Sequence, residues 1–146
     1  MEVGIRSIEE KDYPQIIKLF KEFATFEKLP EKMINTVEQI KKEKDFFNCY
    51  VAVVNNEIVG FASYFFAYYT WVGKSLYLDD LYVKADFRNH GIGKKLLDTV
   101  IDLAKAEKCN RMRWQVSNWN KNAQEFYKYI GAEIDDVELN CDLSFK

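Results

Sequence analysis

The stretch Arg88-Asn89-His90-Gly91-Ile92-Gly93 carries the clearest chemistry in this chain. Glycines at 91 and 93 let the backbone turn sharply and admit a ligand where a side chain would collide. A helix starting there presents unpaired N–H groups and the positive end of its dipole, which suits phosphate oxygens. Arg88 beside the turn adds a guanidinium able to clasp a diphosphate at two points. Two better-known phosphate loops are absent. The dinucleotide fingerprint needs a third glycine, and the P-loop needs a glycine at the position of Arg88 and Ser or Thr after its lysine, where Lys94 is followed by Lys95. Two glycines alone fit a plain strand-to-helix turn equally well, and Arg88 tips the balance. Glu27, near a proline loop, is a candidate for facing a substrate, although a solvated surface charge is the commoner fate of such a residue. The sole histidine, His90, lies inside the turn without a nucleophile or metal partner and is taken as a loop residue.

The elements around the turn follow from periodicity. The run Leu76 to Val83 has the aromatic and branched residues of a buried strand. Ile92, Leu96, Leu97, Val100, Ile101, Leu103 and Ala104 fall on one face of the following helix. Upstream, Val3 to Ile8 alternates as a short strand, and a helix from about Asp12 has Ile16, Ile17, Leu19, Phe20, Phe23 and Ala24 on its apolar side, with Pro14 in its first turn. Thr36 with Gln39 forms a capping-box pattern for a short helix to about Lys44. Cys49 to Val54 and Ile58 to Phe66 read as strands joined at Asn55-Asn56, since asparagine tolerates the positive φ of a tight hairpin. Tyr68, Tyr69 and Trp71 fall at a turn, where rings can face a cation. Arg111 to Val116 is a further strand, Asn118 to Asn120 interrupts it, and a helix with Ala123, Phe126, Tyr127 and Ile130 ends at Gly131. Val137 to Phe145 alternates loosely and reads as a terminal strand or two. Strands and helices so mixed indicate an α/β or α+β sheet with helices on both faces.

Length and composition set bounds on function. With 146 residues, 48% of them hydrophobic, one well-packed domain over 1–146 is expected. A net charge of -2 gives no general attraction to nucleic acid. No apolar run reaches the roughly 18 to 20 residues of a membrane span, and the charged N-terminus does not resemble a signal peptide, so the cytoplasm is the expected location. Cys49, Cys109 and Cys141 are scattered, which suggests neither a disulfide framework nor a metal site.

Arg-x-x-Gly-x-Gly after a strand resembles the acyl-CoA pyrophosphate loop of the GNAT acetyltransferases. Tyr-Leu-Asp-Asp-Leu-Tyr-Val before the loop, Trp119-Asn120 and Phe126-Tyr127 after it, and Phe26-Glu27-Lys28-Leu29-Pro30-Glu31 in the first third are similar to the branch containing diamine, polyamine and thialysine N-acetyltransferases. The resemblance implies a mixed, mostly antiparallel sheet of about six or seven strands and acetyl-CoA as cofactor. It implies that Leu81, Tyr82 and Val83 lie against the pantetheine arm, and that Arg88, Asn89, His90, Gly91, Ile92, Gly93 and Lys94 hold the diphosphate. Asn120 is implied as a further cofactor contact, and Tyr127 as the tyrosine beside the thioester sulfur. An amine attacking a thioester must lose a proton and the departing thiolate must gain one: Tyr127 can supply the second, and Asp79, directly or through water, can help remove the first. Phe26, Glu27, Trp71, Asp79 and Asp80 are the expected substrate contacts. Asp79 stands where that branch often has glutamate, and Tyr69 where some relatives carry an acid. The function expected is transfer of acetyl to a primary amine of a small cationic molecule, in a cytoplasmic homodimer. The alternatives are a non-catalytic acyl-CoA-binding sensor or interaction module, and an acetyltransferase for a protein or peptide amine.

Overall fold

A computed structural model describes residues 1–145. Five strands form one sheet in the order β1 (Gly4–Ser7), β2 (Asn48–Val54), β3 (Glu57–Tyr69), β4 (Gly73–Val83) and β5 (Arg111–Arg113). Neighbours are antiparallel except β4 and β5, which run parallel. Antiparallel neighbours need only short turns, and the β2–β3 turn is the Asn55-Asn56 pair, with φ of 49° and 64° as a tight hairpin demands. The parallel pair needs a crossover, which is α3 (Ile92–Ala106).

The two faces of the sheet are covered by different helices. On one, α1 (Tyr13–Phe26) lays Tyr13, Ile16, Ile17 and Leu19 against Cys49, Val51, Phe61 and Tyr82, with Ile40 of α2 (Val37–Lys42) completing the core. Full burial of Ile16 alone contributes about 1.5–3 kcal/mol. On the other, α3 packs so closely that a Cβ on Gly60 would sit 3.3 Å from Leu96 Cδ1 and 2.9 Å from the Tyr82 carbonyl. Glycine at 60 is therefore a condition of that packing.

Local signals account for most boundaries. Thr36 Oγ1 accepts from the Gln39 amide at 3.1 Å, while the Thr36 amide is taken by Asn35 Oδ1 at 2.8 Å, so the cap uses Asn35 on its other side. Asp12 is tied bidentately to Arg6 at 2.7 and 3.0 Å, which joins β1 to the start of α1 and holds the Asp12 carboxyl below its ordinary range.

Three expectations change, one of them the strand read from Arg111 to Val116, which ends at Arg113. The sheet has five strands among the described residues, not six or seven, and the structure assigns no strand from Val137 to Phe145. Loose alternation supplies side-chain spacing but no partner edge, and the edge strand β5 is itself only three residues long. In addition β3 runs three residues further than the periodicity suggested, to Tyr69, because it stays paired with β4 as far as Gly73. The chain falls into two compact units, Met1–Trp114 and a second that begins at Gln115. No helix among the described residues is long and apolar enough to cross a membrane.

Candidate active site

The glycine turn is built as the sequence requires. Asn89 takes φ 66° and Gly91 φ 77°, and Gly91 is the N-cap of α3 with no side-chain cap. The Lys95 amide bonds to the Gly91 carbonyl at 3.0 Å and is the first in the helix to find its partner. The amides of Ile92, Gly93 and Lys94 precede it and have no carbonyl one turn back. A Cβ on Gly91 would meet nothing within 4 Å, so the space beyond the turn is open. Asn89 and His90 are exposed beside it, while the Ile92 side chain, 1% exposed, anchors the helix in the core. Lys94 turns along the helix to Asp98 at 2.6 Å and offers the turn its amide. Arg88 donates from Nε to the Val83 carbonyl at 2.9 Å, with its guanidinium 4.7 Å from the Phe26 ring and 5.4 Å from that of Tyr82.

The neighbouring edge of β4 is ready for an extended ligand. The Lys84 amide bonds to the Val59 carbonyl at 2.8 Å, and pairing alternates along an antiparallel ladder. Tyr82 and Asp80 thus turn their peptide groups toward β3, whereas Leu81 and Val83 turn theirs to the opposite edge. On that edge β5 reaches only Ser75 to Tyr77, so no described strand pairs with Leu81 or Val83. Tyr82 itself is a core residue, 8% exposed, packed on Phe23 and Phe61, with burial pushing its hydroxyl upward.

The acids meet because of an irregularity in β4. Ser63 pairs with Asp80 and Tyr64 with Leu78, so Asp79 is one residue too many for its partner strand. Regular alternation would send adjacent side chains to opposite faces; the bulge lets Asp79 and Asp80 line the same cavity. That open cavity, ≈ 430 Å³, is lined by Phe20, Phe23 and Ala24 of α1 and Glu27 at its end, by Leu29, Lys32, Met33 and Asn35 of the following loop, by Phe46, Phe47 and Asn48, and by Ser63, Tyr64 and Phe65 of β3. Glu27 is the C-cap of α1, fixed by the left-handed Lys28 (φ 65°) whose amide bonds to Thr25. Asp79 and Asp80 form no ion pair among the described residues. Asp79 keeps contact with solvent at the rim, yet loss of hydration raises its carboxyl above the ordinary value. Asp80, deeper, is pushed up to about 7, by burial first and then by the negative charges of Asp79 and Glu27.

Not every expected contact gathers here. Phe26 lies under Arg88, beside the turn rather than in the acid cavity. Trp71, 98% exposed, is at the β3–β4 tip, and Tyr69 lies beneath Arg111 and Arg113. Tyr69 lies six steps along β3 from Ser63, roughly 20 Å at about 3.3 Å each, so the extension of β3 takes these rings away from the acids. The rings that do line the cavity, Phe20, Phe23, Phe46, Phe47, Tyr64 and Phe65, read as ordinary core spacing in the sequence. Their signal was density: two on the same helix face as Glu27, two just before β2.

In the second unit Asn120 caps α4 (Lys121–Tyr129), its Oδ1 accepting from the Ala123 amide at 3.2 Å. Tyr127 is on that helix with its ring 5.7 Å from Phe126. Gly131, at φ 99°, ends it: its amide bonds to Lys128 and that of Ala132 to the Tyr127 carbonyl.

Residues 13–132 match the acetyltransferase (GNAT) family. This chain is a GNAT acetyltransferase. It is 35% identical over 143 residues to the thialysine N-epsilon-acetyltransferase of Bos taurus, covering 90% of this chain and 84% of that protein. It is 34% identical to the spermidine/spermine N(1)-acetyltransferase-like protein 1 of Homo sapiens over 88% of this chain and 20% of that one. An aminoglycoside acetyltransferase from an uncultured soil metagenomic sample, solved with trehalose, superposes with a TM-score of 0.81 over 97% of both chains at 24% identity, a likeness of fold. Acetyl-CoA is the cofactor of this GNAT-type N-acetyltransferase. The open, uncapped turn at Gly91 fits a diphosphate, and the outward peptide groups of Leu81 and Val83 fit the amides of a pantetheine arm.

Proposed function

We propose that the enzyme transfers the acetyl group to a primary amine of a small cationic molecule, a diamine, polyamine or thialysine-like amino acid. One observation carries this: Glu27, Asp79 and Asp80 converge on a single cavity walled by rings. The names of the relatives support the same kind of substrate. A substrate of this kind keeps a positive charge when its reacting amine is neutral, and a carboxylate at about 4 Å attracts it by about 4 kcal/mol before desolvation at an effective dielectric of ~20. Ring faces add to that hold.

In the proposed step the amine nitrogen bonds to the acetyl carbonyl carbon as the carbon–sulfur bond breaks. The ammonium proton passes to the acid pair. Asp79 stands at the rim, positioned to act directly or through water, and Asp80, with a value near 7, is the better matched base. Tyr127 gives the departing sulfur its proton, a role that rests on its place in the Phe126-Tyr127 motif. Residues 1–146 act as one catalytic domain, since the family match runs through both compact units. We place the enzyme in the cytoplasm as a homodimer, for which the bare Trp71 at the hairpin tip is a suitable contact. Sedimentation at micromolar concentration tests the dimer; a monomer there refutes it.

A thiol-release assay tests the substrate class. kcat/KM for a diamine or thialysine is expected to exceed that for a neutral monoamine of similar length by more than tenfold, with a smaller advantage in Glu27→Gln. Equal rates at low salt would overturn the acid-cavity assignment.

A further inference from the structure

One cation stands among the acids of the cavity. Lys32 lines it together with Glu27, Asp79 and Asp80, and is the one lysine in that lining. Its backbone is fixed there. Lys32 closes the single 3-10 turn Pro30–Lys32, where its amide bonds to the Leu29 carbonyl at 3.0 Å and the Met33 amide bonds to the Pro30 carbonyl at 3.2 Å. The Met33 side chain packs against the core formed by α1 and the sheet, which anchors the turn. The Lys32 side chain, by contrast, is exposed and makes no ion pair among the described residues, whereas Lys11, Lys84 and Lys94 each have a carboxylate partner. Its flexible four-carbon stem reaches roughly 6 Å. The cavity volume of ≈ 430 Å³ is that of a sphere roughly 9 Å across. The stem together with one hydrogen-bond length of about 3 Å spans such a space, so the ammonium has the acid pair within its range.

We propose that Lys32 is itself an acceptor: with acetyl-CoA bound and no small amine present, the enzyme acetylates its own Lys32 side chain in cis. This rests on the proposed function above and extends it to a residue of the chain. The chemistry asks for no new reactant. A lysine side chain is a primary amine on a flexible cationic stem, the same group that the proposed small substrates bring to the cavity. Its ammonium gives one proton to the acid pair and on to water. The nitrogen then bonds to the acetyl carbonyl carbon as the carbon–sulfur bond breaks, and the thiolate gains a proton as the amide nitrogen loses its second. Tethering favours the step, because an amine carried on the cavity wall is present at an effective concentration on the order of millimolar or more. The product is an uncharged amide, so the lining loses its one lysine charge while its acids remain. A small cationic amine binds the same acids, and the two acceptors therefore exclude each other.

The experiment incubates the full chain with deuterated acetyl-CoA and no amine, follows intact mass, and places the label by peptide mapping. Lys41 and Lys105, exposed lysines outside the cavity lining, report uncatalysed acetylation in the same sample. Lys32 is expected to be labelled at least tenfold faster than either, at a rate per enzyme that does not change with enzyme concentration. Saturating putrescine or thialysine should slow the labelling of Lys32 at least tenfold and leave that of Lys41 and Lys105 unchanged. Asp80→Asn should slow it by the same factor as it slows acetylation of the small amine, and Lys32→Arg, which keeps the charge, should abolish the fast event. Labelling of Lys32 no faster than of Lys41 and Lys105, or untouched by the added amine, would overturn self-acetylation while small amines that are still acetylated keep the cationic-amine function standing. A rate per enzyme that rises in proportion to enzyme concentration would overturn the transfer in cis. Failure to acetylate putrescine and thialysine alike would overturn that function and this inference with it. The wild-type ratio of Lys32 to Lys41 and Lys105 decides the matter even if the variants fail to fold.

Discussion

The turn at Asn89–Gly93 and the bulge at Asp79–Asp80 both prepare a place for charge, with opposite materials. The turn uses peptide N–H groups left over at the start of α3, and its one lysine side chain is spent on Asp98. The bulge uses carboxylates from which water has been partly withdrawn. A peptide dipole does not titrate and keeps its sign at every pH, whereas a carboxylate near 7 changes charge within the working range. The first suits grip and the second suits proton transfer. Damage to the turn should therefore appear in affinity, and damage to the bulge in turnover.

The largest effect is expected at the proton-handling groups. Asp80→Asn, and Tyr127→Phe in the second unit, should each lower kcat by about 10²- to 10⁴-fold with CoA affinity retained. Stopped-flow measurement of the chemical step checks this, and an unchanged rate would remove that residue from the mechanism. Next comes the turn. Gly91→Val places a branched side chain in the space a diphosphate needs and forces it into φ 77°, so the Kd for CoA should rise by about 10- to 100-fold. Calorimetry on folded protein reads it directly, and wild-type affinity would refute the assignment of the turn.

The smallest effect concerns stability. Folding raises the Asp80 value from an ordinary 3.8 to about 7, so the folded state holds the proton more tightly than the unfolded chain. Stability is thus unpenalised below the unfolded value, falls as pH rises through the interval, and carries the full penalty above about 7. Asp80→Asn should then melt higher than wild type at about pH 8, by about 1–2 kcal/mol after allowance for solvent screening, with a clearly smaller gain at about pH 5. Melting curves at the two values check it; a gain that grows as pH falls would reverse the assigned sign.

The turn was legible in the sequence because everything that makes it is adjacent: a strand, two glycines, an amphipathic helix. The same holds for the Asn55-Asn56 hairpin, the Asn120 cap and the Gly131 stop, each decided by residues within one turn of the chain. The bulge was not legible. Asp79 and Asp80 are neighbours in sequence, and alternation alone places them on opposite faces; only the pairing of β4 with β3, set by contacts far along the chain, shows that one residue is surplus. The reach of β3 to Tyr69 was hidden for the same reason, and with it the separation of Trp71 from the acids. The aromatic cavity wall was visible as residues but not as a wall, since Phe20, Phe23, Phe46 and Phe47 come together only once α1 is laid on the sheet.

The surplus residue at 79 also bears on how such a chain can change by descent. Loss of one codon elsewhere in β4 would move every following side chain to the other face and empty half the core of its contents. Loss of the codon for Asp79 would restore one-to-one pairing between Ser63-Tyr64 and the residues opposite them, leaving Leu81, Val83 and the glycine turn where they stand. A lineage could in that way reduce the acid pair to Asp80 alone in a single event and keep a folded protein that still grips acyl-CoA. The distance from an acid pair to a single acid, measured in heredity, is three nucleotides.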